Sequence, residues 1–316
     1  MKVIDLINSS KSTAFSFEIL PPLKGNSIQK VYNVIDKLIE FDPKYINITS
    51  HHSEYIYKTL PDGSFQKVNI RKRPGSVAIA SAIQNKYGIT AVPHIICKGF
   101  TKDETEYALI DLNFLGVYDL LLLRGDVKTL EAGQKTDIYH EHATDLQQQV
   151  NDFNKGIAID GSAFEANETP FSYGMACYPE KHEEAPNMES DIFYLKEKVK
   201  NGADYLVTQM FFDNEKYYAF VDRCRAEGIT VPIIPGIKPI VFKNQLTVLP
   251  KIFRSDIPEP FATELRKCKT DDEAKAVGVV WCIQQCKDLI AHGVPSLHFY
   301  TMMASDSVYK VAKEVY

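Results

Sequence analysis

Residues 90–125 read TAVPHIICKGFTKDETEYALIDLNFLGVYDLLLLRG, two apolar runs on either side of a helical pattern. TAVPHIIC (90–97) and DLLLLRG (119–125) are short and aliphatic and end at turn residues, which suits strands buried on both faces. Between them Thr101-Lys-Asp-Glu104 has the form of a helix capping box, and Ala108, Leu112 and Leu115 fall on one face of a helix over 101–116. Strand, helix and strand in that order make a parallel pair with a helical crossover.

The alternation continues in both directions. FSFEIL (15–20), YINITS (45–50), FSYGMACY (171–178), YLVTQMF (205–211), VPIIPGI (231–237) and SLHFYTM (296–302) bring the strand candidates to eight. Eight is the number that closes a (β/α)8 TIM barrel, so the expected fold is an α/β barrel with extra helices and loop insertions. Residues 27–41 place Val31, Ile35 and Leu38 on one helical face, and a helix is expected near 142–155. A long one over 271–292 carries Val279, Ile283, Cys286 and Ile290 and ends at Gly293 and Pro295. Two stretches break the pattern, 54–72 and 127–170 apart from the helix near 142–155. We read 54–72 and 127–141 as loops on the active-site face, and 157–170 as an insertion before the fifth strand on the opposite face. No Pro/Gly/Ser-rich linker divides the chain, so residues 1–316 read as one catalytic barrel without a regulatory domain.

Composition narrows the function classes. The 316 residues are 45% hydrophobic and 24% charged, which excludes disordered and collagenous chains. A net charge of −5 argues against nucleic-acid or membrane-surface partners. The six cysteines are sparse for a secreted scaffold and read as reduced thiols. The close pair Cys282 and Cys286 lies in an apolar stretch with no nearby His, so no metal site is expected. MKVIDLINSSKSTAF lacks a signal-peptide apolar core and no run of 18 apolar residues occurs, so a cytoplasmic protein is expected.

In such barrels chemistry sits at the C-terminal ends of the strands. Polar residues interrupt or close six of the apolar runs there: Glu18, Thr49, His94, Arg124-Gly125-Asp126, Gln209 and Tyr300. Each alone reads equally well as a satisfied core residue, but six on six strands are most economically explained by one shared pocket. Glu18, between Phe17 and Ile19 and followed by Pro21-Pro22, should have a raised pKa suited to a general acid. The alternative is a structural ion pair with Arg124. Asp126 after Gly125 also reads as plain turn chemistry. GxGxxG, GxxxxGK[ST] and HExxH motifs are absent, so any nucleotide must be held by strand-end loops. Tyr178-Pro-Glu-Lys-His182 is a candidate loop, followed by a helix starting near Asp191 and carrying Lys198. Asp191 as an N-cap and Lys198 as a solvated face residue are the structural alternatives.

Taken together, FSFEILPP, INIT, VPHIIC, LLLRGD, YPEKHEEA, DIFYLKEKVKNGAD, TQMFFD, IIPGIKPI and HFYT resemble the methylenetetrahydrofolate reductase family, in the family's order from residue 15 to about 301. The resemblance implies a barrel that binds FAD non-covalently and works by a ping-pong hydride transfer. NADH or NADPH reduces the flavin and leaves, and 5,10-methylenetetrahydrofolate then becomes 5-methyltetrahydrofolate, feeding methionine synthesis. By position, Glu18 matches the general acid and Asp126 the residue near flavin and pterin. The FAD contacts it implies are Ser50, His52, His94, Arg124, Gly125, Asp126, His142, Ala143, Tyr178, His182, Ala185, Asp191 and Lys198. It places Thr49 with Gln209 at the nicotinamide, and Gln209, Gln245 and Tyr300 at the folate. A homo-oligomer is also expected. Three positions depart from the family's pattern: the basic residue expected after the last strand is replaced by Ala304, His142 stands for a Tyr, and Leu249 stands for a Phe. Other readings are another flavin-dependent barrel oxidoreductase, proline dehydrogenase-like, or a barrel that binds folate or nucleotide without turnover.

Overall fold

The computed structural model describes residues 1–51, 54–125, 138–302 and 305–316. In chain order the elements are α1 (Val3–Ser9), β1 (Ala14–Ile19), α2 (Gln29–Leu38), β2 (Tyr45–Ile48), β3 (Glu54–Thr59), β4 (Phe65–Ile70), α3 (Ser76–Tyr87), β5 (Thr90–Ile96), α4 (Lys102–Phe114) and β6 (Asp119–Leu123). There follow α5 (Ala143–Asn154), β7 (Ser172–Cys177), α6 (Met188–Lys200), β8 (Tyr205–Thr208), α7 (Asn214–Ala226), β9 (Ile233–Ile234), β10 (Gly236–Ile237), α8 (Gln245–Phe253), α9 (Glu259–Lys267), α10 (Asp271–Ala291), β11 (Ser296–Tyr300) and α11 (Ser305–Val315).

The main sheet runs β10-β11-β1-β2-β5-β6-β7-β8-β9, every pairing parallel. Because β9 and β10 are two halves of one bent strand, the order closes on itself and the eight expected strands form a (β/α)8 barrel. Pro235, which separates the halves, has no N–H to give a ladder, and its carbonyl accepts from His298 N at 3.1 Å. β9 therefore pairs with β8 and β10 with β11.

Alternation along each strand sorts the side chains. Phe15, Phe17 and Ile19 of β1 join Ile46, Ile48, Ile95, Leu120, Leu122, Met175, Leu206, Leu297 and Phe299 in an outer core. Val31, Ile35 and Leu38 of α2 and Ala108, Leu109 and Leu112 of α4 pack onto it. Cys282 and Cys286 lie in that same core. The residues between them point into the barrel. At its N-terminal end the lumen is apolar: Tyr45, Val92, Leu121, Tyr205, Val207 and Ile234 cluster with Val3 and Ile7 of α1, which plugs that end. Val3 N donates to Asp119 Oδ1 at 2.8 Å, fixing the plug to the start of β6.

Several expectations need correcting. The strand candidates are trimmed, so Thr49, Arg124 and Gln209 stand just beyond their strands rather than within them. Residues 54–72 are mostly not a loop: β3 and β4 form an antiparallel hairpin with Tyr57 opposite Lys67. Its turn, Leu60–Ser64, is closed by Leu60 N to Ser64 O at 2.8 Å and by Asp62 accepting from Ser64 N. The expected 127–141 loop lies outside the described residues as far as 137. The expected capping box is present, with Glu104 N donating to Thr101 Oγ1 at 3.0 Å and Thr101 N to Glu104 Oε2 at 2.9 Å. Among the described residues no helix is long and apolar enough to cross a membrane.

Candidate active site

The open C-terminal end of the lumen is polar because the inward phase of four strands carries polar residues there. On β1 that phase gives Ser16 and then Glu18, on β2 Asn47, on β5 His94, and on β11 His298 and Tyr300. Extending the register of β10, in which Gly236 faces His298 and Ile237 faces Phe299, sets Lys238 level with Tyr300. Tyr300 is itself paired with Glu18. Glu18 (6% exposed) and Lys238 (8%) thus stand on either side of Tyr300 in the mouth, nearly excluded from water.

Burial dominates their chemistry. The Glu18 carboxyl is pushed up to about 7 by loss of water, and the Lys238 charge pulls it partly back. The Lys238 ammonium is pushed down by the same burial and held up by Glu18. The ion-pair alternative for Glu18 does not form. Arg124 instead pairs with Glu184 from the loop after β7.

Beneath this pair lies a network of neutral groups. His94 Nε2 meets Asn47 Nδ2 at 3.2 Å, and His298 Nδ1 meets Ser16 Oγ at 2.9 Å. Both imidazoles are pushed down to about 3, chiefly by burial, so they are uncharged at neutral pH. Tyr300 lies across the lumen and donates to Thr208 O at 2.5 Å. It fits only because residue 236 is glycine. A Cβ there would come within 2.5 Å of the Tyr300 ring and 2.4 Å of Thr208 O.

A second cluster gathers on the loops after β6 and β7 and on α6. Gly125 takes a left-handed turn (φ +82°) where a Cβ would press on Ile96, leaving the backbone bare beside Arg124. Arg124 Nε is buried without a hydrogen-bond partner. Tyr178 and His182 meet edge to face at 4.7 Å. Asp191 is not an N-cap: α6 begins at Met188 with Asn187 accepting from Ser190 N, and Asp191 Oδ2 instead accepts from His182 N at 2.8 Å. Lys198 is not a solvated face residue either, since its Nζ donates to Ala176 O at 3.0 Å and burial pushes its pKa down. Ala185 N closes the loop onto His182 O at 3.1 Å.

The remaining expected residues are more scattered. Ser50 Oγ donates to His94 O at 2.5 Å, and Thr49 Oγ1 to Ile19 O at 3.3 Å, both on the rim. Gln209 Oε1 accepts from Met210 N at 2.9 Å. Gln245 begins α8, its Oε1 taken by Val241 N and Phe242 N, and Leu249 packs in a buried cluster with Met210, Phe212 and Phe261. His142 is exposed at the N-terminus of α5, followed by half-buried Ala143. His52, Asp126 and Ala304 lie outside the described residues. Sequence reading missed Lys238, His298, Asn47 and Ser16. For His298 a signal existed, since it stands two residues before Tyr300 and shares its face of the strand.

An unpaired guanidinium nitrogen and a bare backbone turn in the strand-end loops, with the half-buried Lys198 of α6 beside them, suit an anionic, diphosphate-bearing cofactor. The polar lumen beside them offers a proton donor with its pKa near neutrality.

A family model described as methylenetetrahydrofolate reductase matches residues 2–316. A probable methylenetetrahydrofolate reductase (NADPH) from Caenorhabditis elegans is 30% identical over 99% of this chain and 43% of its own length. A methylenetetrahydrofolate reductase (NADH) 1 from Arabidopsis thaliana is 30% identical over 97% of this chain and 49% of its own length. The chain therefore spans less than half of those two relatives. It covers 88% of a 5,10-methylenetetrahydrofolate reductase from Escherichia coli, again at 30% identity and over 94% of this chain. A solved protein from Clostridium thermocellum, described as binding two copies of 5-methyl-5,6,7,8-tetrahydrofolic acid, has a TM-score of 0.55 over 98% of both chains. At 14% identity that likeness speaks for the barrel alone.

Proposed function

The chain belongs to the methylenetetrahydrofolate reductase family, and from that premise we propose that it reduces 5,10-methylenetetrahydrofolate to 5-methyltetrahydrofolate with a reduced nicotinamide, through bound FAD. The observation that carries this reading is Glu18, a buried carboxyl at the barrel mouth whose pKa is pushed up to about 7. Opening the five-membered ring of the substrate needs a proton on one of the two nitrogens that the methylene carbon bridges. Glu18 donates it as the carbon–nitrogen bond breaks, the bond pair stays on nitrogen, and the iminium carbon left behind accepts the hydride. Near pH 7 such an acid is about half protonated, so it can both give and recover a proton in each turnover.

Bound FAD would supply a two-electron hydride carrier between nicotinamide and folate. Arg124 and Lys198 would oppose its diphosphate charge, Gly125 would let that group approach the backbone, and Asp191 would hold the His182 loop in place. Tyr300 and Gln209 flank the mouth from which folate would enter. On the family resemblance alone, Asp126 is kept as the residue expected near flavin and pterin and Gln245 as a folate contact.

The deciding experiment is anaerobic stopped-flow of the two half-reactions in Glu18→Gln. Flavin reduction by nicotinamide should survive within a few fold. Folate reduction should fall by about 10² to 10⁴, the usual cost of losing a positioned general acid. A parallel loss in both halves would show that Glu18 is a structural residue and overturn the reading.

A further inference from the structure

The lumen places an amine opposite the acid. Glu18 and Lys238 sit on β1 and just past β10, the two strands that flank β11, and both are level with Tyr300. Their neighbours Phe17, Ile19 and Ile237 belong to the outer core, so both side chains take the inward phase. Both are more than nine-tenths buried. Among the described residues neither the carboxyl nor the ammonium forms a hydrogen bond or an ion pair, whereas the groups around them are tied to the wall, His298 to Ser16, His94 to Asn47 and Tyr300 to Thr208 O.

An unpartnered buried lysine is costly, and one kept beside an unpartnered buried acid needs a reason. We propose that Lys238 is a positioning residue for the acid step: its charge, set level with Glu18 on the far side of Tyr300, steadies the carboxylate left after each proton transfer so that the acid can serve again in the next turnover. This rests on Glu18 being the acid proposed above.

The other groups facing Glu18 leave that task to Lys238. Tyr300 stands beside it on β11, with Tyr45 and His298 below and His94 across on β5, and none carries a charge at neutral pH. Burial pushes both tyrosines up and both histidines down. Lys238 is the cation acting on Glu18 among the described residues.

The sign follows from that geometry. A general acid works only while protonated, so the folate half-reaction should fall on an alkaline limb at the Glu18 pKa. Removing the neighbouring positive charge raises that pKa, because a nearby opposite charge favours the ionised carboxyl. In Lys238→Met the alkaline limb should therefore move upward by about one pH unit or more. Lys238→Arg, which keeps the charge, should hold it in place. The pH profile of flavin reduction by nicotinamide should not shift with either substitution, which separates a local electrostatic role from general damage to the barrel.

The experiment is stopped-flow of each half-reaction across the pH range in wild type, Lys238→Met, Lys238→Gln and Lys238→Arg. A limb that stays in place in the neutral variants overturns the proposal. If neither neutral variant folds with flavin bound, Lys238 serves packing and the proposal falls as well. A wild-type limb that Glu18→Gln leaves intact would instead overturn the acid assignment, a separate failure from that of Lys238.

Discussion

His94 and His298 show how a buried network fixes the conditions under which the barrel persists. Each has a folded-state pKa pushed down to about 3, below the ordinary 6.5, so the unfolded chain takes up protons first as the solution is acidified. Their contribution to stability is complete above about pH 6.5 and is lost progressively as pH falls toward 3. Glu18 acts in the opposite sense: raised from 4.5 to about 7, it favours the fold below pH 4.5 and withdraws that contribution as pH rises through 7. His298→Gln keeps a polar head near Ser16 Oγ but cannot take up a proton. We expect its melting temperature to decline less steeply than that of wild type below about pH 6.5. Thermal melts from about pH 4 to pH 8 would check this, and parallel acid limbs in the two proteins would refute it.

At the scale of elements, α6 binds the second cluster to the barrel. Asp191 and Lys198 lie two helical turns apart, so they share one face, and they hold the His182 loop and the end of β7 respectively. Asp191→Ala and Lys198→Ala should each lower flavin occupancy, read as the flavin-to-protein ratio after dialysis, while circular dichroism stays native. Full occupancy with only an earlier melt would mean that the pair is structural. The elements also show what a sequence can reveal. The eight strands were legible because every second residue meets the helices and must be apolar, which makes the runs nearly continuous. The β3–β4 hairpin was not, because its outward residues, Tyr57 and Phe65 among them, carry no core periodicity. Only Pro61-Asp62-Gly63 marked its turn. Glu18 stood out as a carboxyl inside an apolar run. Lys238 did not, since between Gly236-Ile237 and Pro239 it reads as a strand passing into a loop. Its inward phase follows only once Pro235 is known to split the seventh strand.

The whole molecule separates stability from chemistry along the barrel axis. At one end α1 seals an apolar lumen with Val3 and Ile7 against Tyr45, Val92, Leu121, Tyr205, Val207 and Ile234. At the other the lumen opens through Ser16, Asn47 and the two histidines to Glu18 and Lys238. Burying an aliphatic side chain of this size contributes about 1.5–3 kcal/mol, and truncating it also leaves a cavity that a closed barrel can fill only poorly. Ile7→Ala should therefore lower the free energy of unfolding by about 2–5 kcal/mol, the range for such truncations. Because the plug meets none of the mouth residues, the alkaline limb of folate reduction and the retention of flavin should stay at their wild-type values. The two effects can be measured on one preparation. Urea unfolding should show a lower midpoint at an unchanged slope, and stopped-flow below that midpoint should give wild-type pH profiles. A displaced limb in Ile7→Ala would mean that strain at the sealed end reaches Glu18 through the strands, and that the two ends of the barrel are not independent.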